Sequence, residues 1–144
     1  MIRSVVKMAQ ARKKKAPRKK KRTSTKIKAD DMFSNITDAP YYDEMLENPE
    51  RARRHRGLEV KIVWMTPWQF LREVAKVEGS SLDRELTMVF PENLQRLRKV
   101  VESGEKLPMP FLDYANHRHE GRHRAVLAEK LKIPKIPVVI VKEV

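Results

Sequence analysis

A compact α/β (α+β) domain, with a small mixed sheet, flanking helices and a disordered basic tail ahead of it, is predicted by three observations. Val60 to Met65 and Ile136 to Val141 are short β-branched and aliphatic runs of strand length, and the second is apolar enough to be buried on both faces. Between them stand apolar residues at helical spacing, bracketed by start and stop signals. Charge is partitioned: residues 1 to 28 hold 13 of the 32 Lys and Arg and no acid, which leaves 19 basic against 19 acidic residues in the remainder. The net charge of +13 therefore belongs to the tail, and the folded part is neutral.

The tail centres on Arg12, Lys13, Lys14, Lys15, Arg18, Lys19, Lys20, Lys21 and Arg22, interrupted only by Ala16 and Pro17. Like charges repel at every helical neighbour and nothing apolar is available to bury, so residues 1 to 29 are expected to be disordered in isolation. Such a segment suits a polyanion: each cation that neutralises a phosphate releases counterions, giving non-specific, salt-sensitive binding to nucleic acid. No aromatic residue is interleaved, which argues for backbone contact rather than base stacking. A nuclear localisation signal or a partnerless solubilising extension has the same composition. There is no bilayer-spanning apolar run, so no membrane partner is expected and the location read is cytoplasmic, with nucleoid or virion association as variants. The absence of cysteine excludes disulfides, thiol nucleophiles and zinc ribbons.

Residues 30 to 57 read as a linker with short helices. Asp38 is placed to cap a helix carrying Tyr41, Tyr42, Met45 and Leu46, and Asn48-Pro49 starts a second, arginine-rich helix that ends at Gly57. A phosphate contact through Arg53 or Arg54 is a secondary reading, since arginines at a helix C-terminus already suit the dipole. Thr66-Pro67-Trp68-Gln69 carries an N-cap, a proline at the first helical position and a capping-box glutamine, predicting a helix to about Val77 that stops at Gly79. Trp64 and Trp68 are assigned to the core. Gly79 to Phe90 is left open between a helical stripe of Leu82, Leu86 and Val89 and a loop. Pro91 opens a helix through Leu94, Leu97, Val100 and Val101, stopped by Gly104, and Leu107 to Tyr114 reads as a strand whose start Pro108 and Pro110 confine to an edge or a loop.

The chemistry concentrates in His119-Glu120-Gly121-Arg122-His123-Arg124, where a strand or loop turns into a helix continued by Leu127, Ala128 and Leu131. A helix N-terminus disfavours cations, yet this one opens with two arginines and a histidine. A glycine permitting close backbone approach, orphan amides and two guanidinium groups describe a seat for a phosphate. The alternative is two solvated arginines and a glycine that merely makes the turn. His117, His119 and His123 are near in sequence, but a turn and Gly121 separate them, and the metal assignment is none.

From the MTPWQFL segment, Gly104 ahead of Leu107-Pro108-Met109-Pro110, the EGRHRA box, Lys132-Ile133-Pro134 and the closing IPVVIV run, residues 58 to 144 resemble the ParB/sulfiredoxin-like superfamily, in its stand-alone ParB-like nuclease-domain form. The resemblance implies that Gly121 and Arg124 bind nucleotide phosphates, with Arg122 and His123 flanking them and Glu120 in the acidic position; Glu120 and His123 are the candidate catalytic pair. It implies a nucleotide, CTP or ATP, with Mg. Sulfiredoxins use a cysteine where Arg122 stands, so that activity is excluded. Free serine kinases carry a similar box and need a separate acid, for which Glu73, Asp83 and Glu85 are the options. The helix-turn-helix and dimerisation segment of partition proteins are not found before the sequence ends, so sequence-specific DNA reading is not expected. Glu92 to Arg96 echoes a ParB phosphate motif but precedes the box. The expected function is ParB-like phosphate or nucleotide binding, tethered to DNA by the arm. The alternatives are a nuclease or small-molecule kinase using the box, and an inert domain whose arm packages nucleic acid. The stand-alone form of the domain that the chain resembles further implies a plasmid or phage source.

Overall fold

A computed structural model describes residues 26–144; the basic run Arg12 to Arg22 lies outside the described residues. The elements in order are α1 (Ala29–Met32), α2 (Pro40–Glu47), α3 (Pro49–Arg56), β1 (Leu58–Met65), α4 (Pro67–Glu78), α5 (Leu82–Thr87), α6 (Pro91–Glu102), β2 (Phe111–Asp113), β3 (Arg118–Glu120), α7 (Arg122–Lys130) and β4 (Ile136–Glu143). The four strands form one mixed sheet in the order β1-β4-β2-β3. β4 is antiparallel to β1 and parallel to β2, and β2 is antiparallel to β3. The α/β (α+β) class is therefore as the sequence predicts. No helix among the described residues is long and apolar enough to cross a membrane.

Local chemistry explains the boundaries. Thr66 accepts from the Gln69 amide at 3.0 Å and Gln69 returns the bond to the Thr66 amide at 2.8 Å, closing the capping box of α4. Asn48 caps α3 through the Arg51 amide at 3.2 Å. β4 is interior to the sheet, so Ile136 to Val141 is buried along its whole length. The ambiguous stretch after Gly79 resolves into α5, started by Ser81 accepting from the Arg84 amide at 3.2 Å.

Four readings are corrected. The strand expected over Leu107 to Tyr114 is confined to Phe111–Asp113, because Pro108 and Pro110 lack the amides a ladder needs. Leu107 instead makes an isolated bridge to Phe33. Trp64 and Trp68, expected in the core, are 50% and 36% exposed: the cover over β1 stops short of Trp64, and Trp68 lies off the buried stripe of α4 made by Phe70, Leu71 and Val74. Asp38 does not cap α2. The N-cap is Ala39, while Asp43 inside the first turn holds the preceding loop by accepting from the Thr37 amide and hydroxyl at 2.7 and 2.9 Å.

Residues 30 to 57, read as a linker, belong to the same core: Met32, Phe33, Tyr42, Met45 and Ala52 pack in one cluster with the sheet and α4. Tyr42 also donates to the buried Asp113 carboxylate at 2.6 Å. Burying a Met or Phe contributes about 1.5–3 kcal/mol, and whole domains are stable by only about 5–15 kcal/mol. A chain beginning at Gly57 is therefore expected to show no cooperative thermal transition by circular dichroism. Retention of the full-length melting point would mean that the first three helices are dispensable.

Candidate functional site

The box is delivered by a hairpin. β2 and β3 are joined by a four-residue turn, Tyr114 to His117, in which His117 takes a positive φ of 56°. Asp113, fully buried, fastens this turn by accepting from the Asn116 amide and side chain, both at 3.0 Å. β3 then carries His119 and Glu120 directly to Gly121, the N-cap of α7.

Gly121 has φ +128°, and a Cβ placed there would overlap the Cβ of Pro110 and lie 3.4 Å from Phe70 Cζ. The close approach that glycine permits is thus to the Pro108–Pro110 segment and α4. The first turn of α7 is open: no side chain caps it, no acid lies in it, and the first intrahelical bond is from the Ala125 amide to the Gly121 carbonyl at 2.9 Å. The amides of Arg122, His123 and Arg124 stand ahead of that bond, at the positive end of the dipole.

The cationic side chains are already engaged. Arg122 donates from Nε and Nη2 to Glu85 Oε1 at 2.9 and 2.6 Å, and Glu85 is 0% exposed. The second Glu85 oxygen accepts from Ser80, and Glu78 pairs with His119 while lying 3.6 Å from Arg122. Burial pushes the Glu85 carboxyl upward, but the bonds from Ser80 and Arg122 outweigh it and hold the group below its ordinary range. A carboxylate so tied is a weak base. Glu73, another candidate acid, accepts from Tyr114 at 2.6 Å and pairs with Lys76 at 3.0 Å.

Arg124 is 6% exposed. It donates to the Pro108 carbonyl at 3.0 Å, and its Nη2 lies 3.5 Å from Asp38 and 3.8 Å from Glu120. Asp38, expected to cap a helix, thus belongs to the site. Burial lowers the Arg124 pKa from its usual value, opposed by Asp38 and Glu120; the group remains cationic because guanidinium starts so high. Asp38 and Glu120 are the exposed members of the set, and Arg124 is the buried one.

His123 Nε2 accepts from the Phe90 amide at 3.0 Å, with Asn93 Nδ2 at 3.4 Å, so the ring carries its proton on Nδ1. Burial, then Arg122 and Arg96, lower its pKa. A depressed folded pKa means that its contribution to stability is present above the unfolded value, about 6.5, and is lost as pH falls below it. Titration of the His123 ring by NMR is expected to give a midpoint below 6.5; a midpoint above it would contradict this geometry. Among the described residues, no three His, Asp or Glu side chains are placed to hold a metal ion.

The sequence placed the helix start at Gly121, where α7 begins, and missed the partners of its arginines. Glu85 joins Arg122 across 37 residues, and Arg124 meets Asp38 and Pro108. Two signals were available: Glu85 lies on the apolar stripe of Leu82, Leu86 and Val89, and Arg124 precedes Leu127 and Ala128 by three and four positions, on the buried side of α7. The nine cations of the tail lie outside the described residues. In comparison with known proteins, the chain matches no family model, no curated protein and no solved structure.

Proposed function

We propose that this protein is a ParB-like phosphate- or nucleotide-binding domain tethered non-specifically to nucleic acid by its cationic N-terminal arm. The observation that carries the reading is the open first turn of α7, uncapped, free of acids and opened by a glycine. The amides of Arg122, His123 and Arg124 are its phosphate donors. Arg122, locked by Glu85, positions the turn. Arg124 contributes the charge: its contacts to Asp38 and Glu120, at 3.5 and 3.8 Å, are long, and both carboxylates reach solvent, so a phosphate oxygen displaces them at small cost. Nδ1–H of His123 remains for a ligand oxygen, since Nε2 is occupied. CTP or ATP with Mg is the ligand class to test first.

A catalytic version, nuclease or small-molecule kinase, rests on Glu120, whose side chain is 58% exposed beside the box and so able to take a proton. His123 serves it poorly as a base, its Nε2 being spent on Phe90.

The test is a thermal-shift screen of the full chain against CTP, ATP, ADP and inorganic phosphate, with and without Mg, followed by phosphorus NMR for turnover. A nucleotide-specific rise in Tm supports the binding reading, and product formation adds the catalytic one. No rise with any of the four contradicts both. Arg124→Ala is not a clean control, because loss of a buried guanidinium lowers the apo melting point by itself; Arg124→Lys, which keeps the charge and a donor for Pro108, is the better variant.

A further inference from the structure

We infer that the groove beside β1 is a base-stacking site for single-stranded nucleic acid; this rests on the reading of the N-terminal arm as a phosphate-backbone tether. The groove encloses about 620 Å³ and is lined by Ile62, Trp64 and Met109 together with Asp30, Asn35 and Lys106, among others. That volume falls within the range of small-molecule sites, about 300–1,000 Å³.

Each part has a use. Trp64 is 50% exposed and Ile62 is 42% exposed, so an indole with an aliphatic neighbour is offered to solvent on β1, the outermost strand at its end of the sheet. A half-exposed tryptophan is a π-surface on which any base stacks. Lys106 supplies a cation for the adjoining phosphate. Asp30, which also lines the groove, can accept from the exocyclic amino group of a base. Asn35 offers both a donor and an acceptor to a base edge.

Continuity with the arm selects the occupant. Ala29 lines the groove, and immediately before it Lys26 and Lys28 are exposed, the last cations of the basic N-terminal region. A strand gripped through its phosphates by the arm is led to the groove by the chain itself. The arm contains no aromatic residue, and Trp64 supplies what it lacks. A duplex keeps its bases stacked internally and gains only the arm contacts, so the groove confers preference for single strands.

The test uses the full chain, with binding to a fluorescent oligonucleotide and to the same sequence as a duplex measured across a salt series. Trp64→Ala is expected to weaken single-strand binding roughly 5- to 150-fold while leaving duplex affinity within about twofold and the salt slope unchanged. Trp64→Phe is expected to recover part of the loss, and Lys106→Glu to lower single-strand affinity independently. Equal losses on both substrates, or no loss on either, overturn the stacking site while leaving the arm reading intact. Absence of binding by the wild-type chain to either substrate at low salt overturns the arm reading and this inference with it. If light scattering shows a wild-type dimer that Trp64→Ala dissociates, with single-strand binding unchanged, the patch is an interface between copies and the inference fails.

Discussion

Replacing Glu85 by alanine is expected to cost about 3–5 kcal/mol of unfolding free energy, because it leaves the mostly buried Arg122 without its hydrogen-bonded partner and with only the longer, 3.6 Å approach of Glu78. The pair is a poor candidate for a neutral surface bridge: Glu85 is 0% exposed, and both its oxygens are used, one by two guanidinium nitrogens and the other by Ser80. Since α5 meets α7 through this carboxylate, its removal also loosens the start of the α7 helix. Denaturant unfolding gives the number; a loss below about 1 kcal/mol would place the pair among surface bridges. The pH dependence has a definite sign. Because the folded carboxyl is held below its ordinary range, its stabilisation is complete above about pH 4.3 and fades as pH falls through the lower folded value. The wild-type advantage over Glu85→Gln should therefore shrink on acidification, and an advantage that grew would contradict the assigned charge.

Gly121→Ala is the second large effect. The new Cβ overlaps Pro110 Cβ, and at φ +128° an alanine backbone is strained whatever the space. Overpacking costs about 1–3 kcal/mol and a strained conformation about 1–3 kcal/mol, so the variant is expected to lose roughly 2–6 kcal/mol. Pro110→Gly in the same chain removes the obstructing atom and should return the packing part only. A double-mutant cycle separates the two. Near-neutral behaviour of Gly121→Ala would mean that the segment around Pro110 yields freely and that the turn is not pinned to it.

Elements specified by local chemistry were legible in the sequence. The capping box at Thr66 and Gln69, the αL stops at Gly57 and Gly79, and the interior strand from Ile136 each depend on residues within a few positions, and each stands where predicted. The α7 turn was found for the same reason. What escaped depends on distant contacts. Met32 and Phe33 sit in a short polar-looking stretch with no periodicity, and only the bridge from Phe33 to Leu107 makes them core. Trp64 is apolar and lies in a strand, but whether a helix covers it is settled by where α2 and α3 end. Of the counter-charges, Glu120 stands four positions before Arg124, a spacing the sequence shows, but Glu85 comes from α5, Glu78 from the end of α4 and Asp38 from the loop before α2, which no spacing rule connects to the box. A sequence reading could therefore propose a cation-rich anion seat without seeing that its cations are already paired.

The central claim, that the open turn of α7 binds phosphate through its backbone, is tested most directly by amide NMR of the full chain during titration with CTP, ATP and inorganic phosphate, each with Mg. Saturable shifts concentrated at the Arg122, His123 and Arg124 amides, at ligand concentrations that leave the other helix N-termini unmoved, are the predicted result. Shifts confined to the arm, or none at these three amides at saturating nucleotide, would contradict it and leave Gly121 and its arginines as the joint that holds α7 to Pro110, Glu85 and Asp38.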